Sequence, residues 1–370
     1  MSEPIKFVDL VDSRLANFLD SRSSELEAIS PDLEHIMDYT RGMLATGKRF
    51  RARFCYWGWR AGNTSELDPG LGAEKVDDLA GVLSLALSLE VFHAAALVHD
   101  DIMDNSDTRR GKPAAHRAFE ALHRERSYAG GSDHFGQSTA LLVGDLLLAW
   151  SDDLLNQALS SMDSPVAQAT RAQFSRMRQE VTVGQYLDIH EEAAWLHSTE
   201  SERLERALRV VTYKSAKYSM EAPLLIGASL AGAGPEKLSA LSAFGLPLGI
   251  AFQLRDDVLG VFGDSEVTGK PSGDDLREGK RTVLIALAEQ AMPTGAKAIF
   301  NEMLGDRSLS GEQIEVMQET LNATGALDKI ETMISDYVGE AMEALHGAQL
   351  SAGATAELTR LAEAVTQRQA

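Results

Sequence analysis

The sequence predicts an all-α protein, and three observations carry that prediction. Apolar residues recur at helical spacing along nearly the whole chain, and the strict alternation of a half-buried strand is seen nowhere. Ala and Leu are the commonest of the 370 residues, while aromatics make up only 6%. There are 10 prolines, and most stand where a helix should start or stop: Pro31, Pro69, Pro113, Pro165, Pro235 and Pro293. A length of 370 residues would allow two domains. The helical pattern runs on without a low-complexity linker or a short-period repeat, so one domain over 1–370 is expected. A hydrophobic fraction of 44% is ample for a sizeable core.

Helices are expected over 32–46, 48–61, 75–105, 114–124, 138–160, 165–191, 200–231, 235–264, 280–300, 310–323, 325–347 and 353–368. Loops are expected over 62–72, 128–136 and 263–279, where Gly and polar residues gather. The helix over 75–105 contains the most apolar run, 79–98, which is long enough to consider as a membrane span. Glu90 and His93 interrupt it, acidic pairs bound it at Asp77-Asp78 and Asp100-Asp101, and no second such run is apparent. A buried core helix is therefore expected and no membrane span. The run 141–150, with Leu141, Leu142, Val143, Leu146, Leu147 and Leu148, is apolar nearly all round. That pattern fits either a subunit interface or a fully buried helix. The tail 351–370 reads as a weakly amphipathic helix.

Charge narrows the function. Thirty-five Lys and Arg against 55 Asp and Glu give a formal charge of −20. Nucleic acid and anionic membrane surfaces are thereby excluded as general partners. If the substrate is an anion, metal and a local basic cluster must attract it. One cysteine, Cys55, precludes an intrachain disulfide, and residues 1–10 lack the basic and apolar regions of a signal peptide. A cytoplasmic protein is expected.

Acidic residues close two apolar helices. The first group is His99-Asp100-Asp101-Ile102-Met103-Asp104. Asp100 and Asp104 lie four apart, so on a helix they share a face and repel. Either solvent or a hard cation relieves that repulsion, and magnesium commonly takes one or two carboxylates plus substrate phosphates. Three cations follow in Thr108-Arg109-Arg110-Gly111-Lys112-Pro113, and guanidinium forks suit phosphate. The second group is Phe252-Gln253-Leu254-Arg255-Asp256-Asp257-Val258-Leu259-Gly260. Beyond it Lys270 and Lys280 stand among glycines, as in a loop that closes over phosphate or in a plain charged surface loop. Helices of ~25 residues span nearly 40 Å, so two packed side by side would bring both acidic ends to one mouth of a bundle.

A further basic group is Gly47-Lys48-Arg49-Phe50-Arg51-Ala52-Arg53. Residues 42–48 spell Gly-x4-Gly-Lys, but Arg49 replaces the Ser or Thr of a P-loop and a helix, not a strand, precedes it. Lys214 and Ser215 add a cation and a hydroxyl.

Taken together, Lys48-Arg49-x-Arg51, the run 93–111, Gly184-Gln185-x-x-Asp188, Lys214-Ser215 and Phe252-Gln253-x-x-Asp256-Asp257 resemble the trans-isoprenyl diphosphate synthases. Farnesyl, geranylgeranyl and longer polyprenyl diphosphate synthases belong to that family. The five motifs occur in the family's order over about 35–300, the expected catalytic body. The resemblance implies a bundle of long antiparallel helices around a deep central cavity, and a homodimer. It implies that Asp100 and Asp104 bind two magnesium ions and Asp256 a third, with Asp101 and Asp257 in support. Lys48, Arg51, His93 and Arg110 would hold isopentenyl diphosphate. Arg109, Lys214, Ser215, Gln253, Lys270 and Lys280 would hold the allylic diphosphate, whether dimethylallyl, geranyl or farnesyl. One departure is Gly260, where many family members carry a third aspartate.

The implied reaction is the head-to-tail condensation of isopentenyl diphosphate with the allylic substrate. Rival readings are a class I terpene cyclase, whose second metal site differs from Asp256-Asp257, a metal phosphohydrolase built on His99-Asp100, and a silent partner subunit. In the family, bulky aromatics four or five positions before the first aspartate go with farnesyl products. Those positions here are Ala96 and Ala95, with Phe92 one turn deeper, so a twenty-carbon geranylgeranyl product is expected. Farnesyl and longer products are the alternatives.

Overall fold

A computed structural model describes residues 3–63, 76–263 and 272–366. Among them the helices are α1 (Glu3–Glu27), α2 (Glu34–Leu44), α3 (Phe50–Gly62), α4 (Val76–Met103), α5 (Ala115–Glu125), α6 (Ser132–Leu159), α7 (Ser164–Ala194) and α8 (Glu200–Val210). A π-helical stretch, Val211–Glu221, leads into α9 (Ala222–Leu230) and α10 (Pro235–Phe262). Then come α11 (Asp274–Glu278), α12 (Val283–Ala291), α13 (Thr294–Met303), α14 (Gly311–Ala323), α15 (Ala326–Gly347) and α16 (Ala352–Thr366). The all-α expectation holds, apart from a two-residue ribbon pairing Thr108 with Pro113 and Arg109 with Lys112. Arg110 and Gly111 turn that ribbon with φ of 52° and 73°. No ribbon is foreseen from the sequence, because two residues a side leave no alternation to detect.

Other differences have local causes. No helix is expected before residue 32, yet α1 is present and buries Phe7, Val11, Leu15 and Leu19, a row at i, i+4 spacing. The 128–136 loop is shorter than expected, since α6 begins at Ser132. The helix over 280–300 is two helices, and Pro293, at the N-cap of α13, separates them. The helix over 200–231 contains the π stretch, which ends just before Pro223, a residue with no N–H to continue an α-helical ladder. Among the described residues two helices are long and apolar enough to cross a membrane: the expected one at Leu79–Met103, with 78% of its most apolar window buried, and Pro235–Phe262, with 44%.

The chain forms two compact units. Unit 1 is Met1–Gln173 with Pro223–Gly234, and unit 2 is Phe174–Ala222 with Pro235–Ala370. In unit 1, Leu15, Leu19, Met37, Leu87, Val91, Ala95, Val98, Phe119, Val143 and Leu147 share one core that joins α1, α2, α4, α5 and α6. Two backbones also touch directly: a Cβ on Gly58 of α3 would collide with the Leu224 carbonyl of α9, and one on Gly227 with the Cys55 carbonyl. Glycine is needed at both places because the helices leave no room for a methyl group.

Unit 2 packs α8, α10, α12, α13, α14 and α15 around Leu254, Val258, Leu284, Ile285, Ile330 and Ile334. Its polar centre is Glu289, which is 0% exposed. Trp195 Nε1 donates to both its oxygens at 2.9 and 3.1 Å, Arg203 Nη1 at 2.7 Å and Asn301 Nδ2 at 2.8 Å. A buried carboxylate is tolerated where cations and donors surround it in this way.

Candidate active site

In unit 1 the first acidic group sits where α4 runs out. Asp101 is fully buried, and Arg109 of the ribbon donates to its Oδ1 from Nε at 2.9 Å and also from Nη2. The same Nη2 lies 3.5 Å from Oδ2 of Asp100. Asp101 thus anchors Arg109, while Asp100 and Asp104 keep partly exposed positions on the helix end. His99 turns to α6, where its ring lies over Gly144 and its Nε2 is 3.3 Å from the Leu141 carbonyl. The same Nε2 lies 3.6 Å from Oδ1 of Asp145 on α6.

Arg110 reaches back to the end of α2. Its Nη1 donates to the carbonyls of Met43 and Thr46 and to Oγ1 of Thr46. The Met43 carbonyl belongs to the last turn of α2, where the helix dipole favours a cation. The contact closes a hollow lined by Met43, Leu44, Thr46, Arg49, Glu90, His93, Ala94, Leu97 and Arg110. Arg49, at φ 51°, binds Oδ1 of Asp12 at 2.9 Å and lies 3.6 Å from Glu90. Glu90 in turn accepts from the Ala52 N–H at 3.1 Å. This buried pair fixes the turn that carries Lys48 and Arg51, of which Lys48 is exposed and Arg51 half-buried. Burial pushes the His93 pKa well down, and Arg51, Arg110, Arg109 and Arg49 push it further. His93 is therefore neutral at pH 7, among four guanidinium groups that create a positive potential suited to an anion.

Along α4, Phe92 is 5% exposed, Ala95 is fully buried and Ala96 is partly exposed.

In unit 2 a Cβ on Gly184 of α7 would collide with the backbone of Tyr213 and Lys214. That close approach, one helical turn before Asp188, lets Lys214 Nζ pair with Oδ2 of Asp188. The π turns carry Lys214 and Ser215, both partly exposed. On α10, Gln253 Nε2 donates to Oδ1 of Asp257 at 2.7 Å. Burial raises the Asp257 pKa well above the usual carboxylate range against that hydrogen bond, and Asp275 and Asp256 add to the rise while Lys280 opposes it. Asp256 is partly exposed. Lys280 Nζ lies 2.8 Å from Glu278 and 3.6 Å from Asp275. Its neighbour Arg281 is 3.7 Å from the buried Glu289, which ties the Lys280 backbone to the polar centre of the unit. Lys270 lies outside the described residues.

Among the described residues no three His, Cys, Asp or Glu side chains converge as a closed metal site. Two hard carboxylates a helical turn apart, beside guanidinium groups, do fit magnesium, which keeps waters and fills its shell with substrate phosphate oxygens. Glu90, Asp188, Asp275 and Arg49 are the site-supporting residues that sequence reasoning leaves without a role. Glu90 carries a signal of its own, an acid inside an apolar run, while Asp188 and Arg49 stand within motifs of the family resemblance.

Against known proteins, the polyprenyl synthetase family model matches residues 31–322. The chain belongs to the polyprenyl synthetase family. A geranylgeranyl diphosphate synthase of Methanosarcina mazei is 33% identical over 278 residues, covering 74% of this chain and 76% of the relative. A (2E,6E)-farnesyl diphosphate synthase of Mycobacterium bovis is 30% identical over 289 residues, covering 77% and 73%. A geranylgeranyl pyrophosphate synthase from Corynebacterium glutamicum, solved with isoprenyl diphosphate and magnesium, superposes with a TM-score of 0.90 at 40% identity, covering 98% of this chain and 99% of that one. Membership makes this chain a prenyltransferase of the trans-isoprenyl diphosphate synthase type, and makes the terpene cyclase and phosphohydrolase readings unnecessary.

Proposed function

We propose that this prenyltransferase makes geranylgeranyl diphosphate from isopentenyl diphosphate and dimethylallyl, geranyl or farnesyl diphosphate, as a homodimer in the cytoplasm and as one catalytic domain. The observation that carries the product length is the pair of small residues Ala95 and Ala96 near the end of α4, with the Phe92 ring one turn deeper. The relatives named for twenty-carbon products in Methanosarcina mazei and Corynebacterium glutamicum support the same reading.

Magnesium, held through Asp100, Asp104 and Asp256 as up to three ions, would neutralise diphosphate oxygens and so improve the leaving group. Arg109, Lys214, Ser215, Gln253, Lys270 and Lys280 hold the allylic diphosphate and stabilise the charge it gains. Its allylic C–O bond breaks, and the electron pair leaves with the diphosphate. Lys48, Arg51, His93 and Arg110 orient isopentenyl diphosphate so that its double bond forms the new C–C bond to the allylic cation. A proton then leaves the adjoining carbon. His93 is a poor base among four guanidinium groups, and Asp101 is engaged by Arg109, so the departing diphosphate takes that proton.

The test is purified protein with magnesium and radiolabelled isopentenyl diphosphate, given each of the three starters, with products separated by chain length. A twenty-carbon product from all three is expected. A wild-type product of fifteen or twenty-five carbons would overturn the length assignment. Activity that appears only when a second protein is added would favour a silent subunit.

A further inference from the structure

The π-helical stretch Val211–Glu221 carries Lys214 and Ser215, and backbone packing grips it on two sides. Gly184 of α7 lies against Tyr213 and Lys214, and a Cβ on Gly249 of α10 would collide with the backbone of Ala216. Ion pairs to α7 flank the first of these contacts. Glu180, Gly184 and Asp188 share one face of α7 at i, i+4 spacing. Lys214 pairs with Asp188 on one side, and Lys217 Nζ lies 2.9 Å from Glu180 Oε1 on the other. The Lys217 and Glu180 side chains are only 21% and 24% exposed. Lys217 Nζ also stands 5.0 Å from the centre of the Tyr213 ring, so it grips the residue that precedes Lys214. Burial opposes its charge, yet Glu180, ahead of Glu221 and Tyr213, raises the Lys217 pKa. Ser242 of α10 donates to Glu221 at 2.5 Å and fastens the far end of the stretch.

A π turn holds more residues than an α turn, so the direction of each side chain depends on which of them forms. The Ala216 backbone is fixed against Gly249. Relaxation of 211–221 to an α-helix would therefore swing Lys214 and Ser215 round relative to that fixed point. We propose that Lys217 and Glu180 are positioning residues, which hold the π stretch in the register that presents Lys214 and Ser215 to the allylic diphosphate. The proposal rests on the functional reading above, in which Lys214 and Ser215 meet that diphosphate. Asp188 cannot do this alone, because its partner Lys214 is the side chain that must turn to the substrate. An ion pair at a surface contributes little by itself. Contact with Tyr213 is what couples this one to Lys214.

Lys217→Met keeps the length of the stem and removes the charge, and Glu180→Gln keeps the shape of the acid. Each should weaken magnesium-dependent binding of farnesyl thiolodiphosphate, measured by calorimetry, by roughly fivefold, the upper end of what a partly exposed ion pair supplies. The Michaelis constant for isopentenyl diphosphate should not change. The double variant Glu180→Gln/Lys217→Met should bind no worse than either single one, because the pair acts as a unit. Lys217→Arg keeps both the charge and the ring contact and should bind as the wild type does. Lys214→Met serves as the reference, and thermal midpoints taken alongside report folding. A lowered midpoint with both substrates bound normally is what a purely structural pair predicts, and it would overturn the role. An equal loss for both substrates would overturn it as well. So would a loss in Lys217→Arg as large as in Lys217→Met, since a missing packing contact predicts that result. Wild-type affinity in Lys214→Met would overturn the placement of Lys214 itself, and the role of the pair with it.

Discussion

At the level of single residues, two side-chain environments lead to measurable consequences. Asp100 carries its charge at a helix end beside Asp101 and Arg109 and contributes nothing to the hydrophobic core. Asp100→Ala should lower kcat by roughly 10²–10³-fold, the scale of removing one preorganised electrostatic contact. Its thermal midpoint should stay near that of the wild type, because the change relieves a like-charge repulsion. Turnover near the wild-type value at saturating magnesium would refute the assignment. His93 offers a test by pH. Its folded pKa lies well below the ordinary value, with burial the leading cause. Below about pH 6.5 the unfolded chain binds a proton that the folded chain refuses, so stability is complete above that pH and lost as pH falls beneath it. Going from pH 7.5 to 5.5 should cost about 1 kcal/mol through this residue. In urea titrations, His93→Asn should show a shallower loss over that interval, and identical slopes would refute the depressed pKa.

At the level of elements, α4 is the part most fully legible in the sequence. A long apolar stretch with one embedded acid and an acidic terminus could be assigned as a buried helix ending in an acidic group, and its end lies at Met103 beside the ribbon that supplies Arg109. Other features were hidden for physical reasons. The π stretch around Lys214 differs from an α-helix by about one residue over its length, too little for periodicity to detect. The meeting of Gly260 with the Asp275 carboxylate joins residues 15 apart on two different helices, which no local pattern encodes. The α1 row was visible but lies outside every motif. If α4 sets product length, Ala96→Phe should shorten the product to fifteen carbons and Phe92→Ala should lengthen it beyond twenty. Chromatography of the dephosphorylated products decides this, and an unchanged length in both variants would place the ruler elsewhere.

At the level of the whole molecule, a charge of −20 confines anion binding to the few places where arginines and lysines gather. The same charge makes exposed apolar residues more conspicuous. Leu141 and Leu142 on α6 are 51% and 63% exposed, although the neighbouring Val143 and Leu147 are buried in the unit 1 core. A second copy of the chain is the expected cover. Light scattering at micromolar concentration should give a dimer, and Leu142→Asp should shift it toward monomer. A wild-type monomer would contradict the assignment. A different consequence follows from the path of the chain. Unit 1 is completed by Pro223–Gly234, a segment that the chain reaches only after building the first part of unit 2, and Gly58 and Gly227 meet the backbone of the opposing helix there. Neither unit is a contiguous stretch of sequence, so a recombination breakpoint or a split-gene junction near residue 173 would leave α3 without the helix that seals it. Such halves should assemble only when made together, and this enzyme should be inherited and exchanged as one undivided gene.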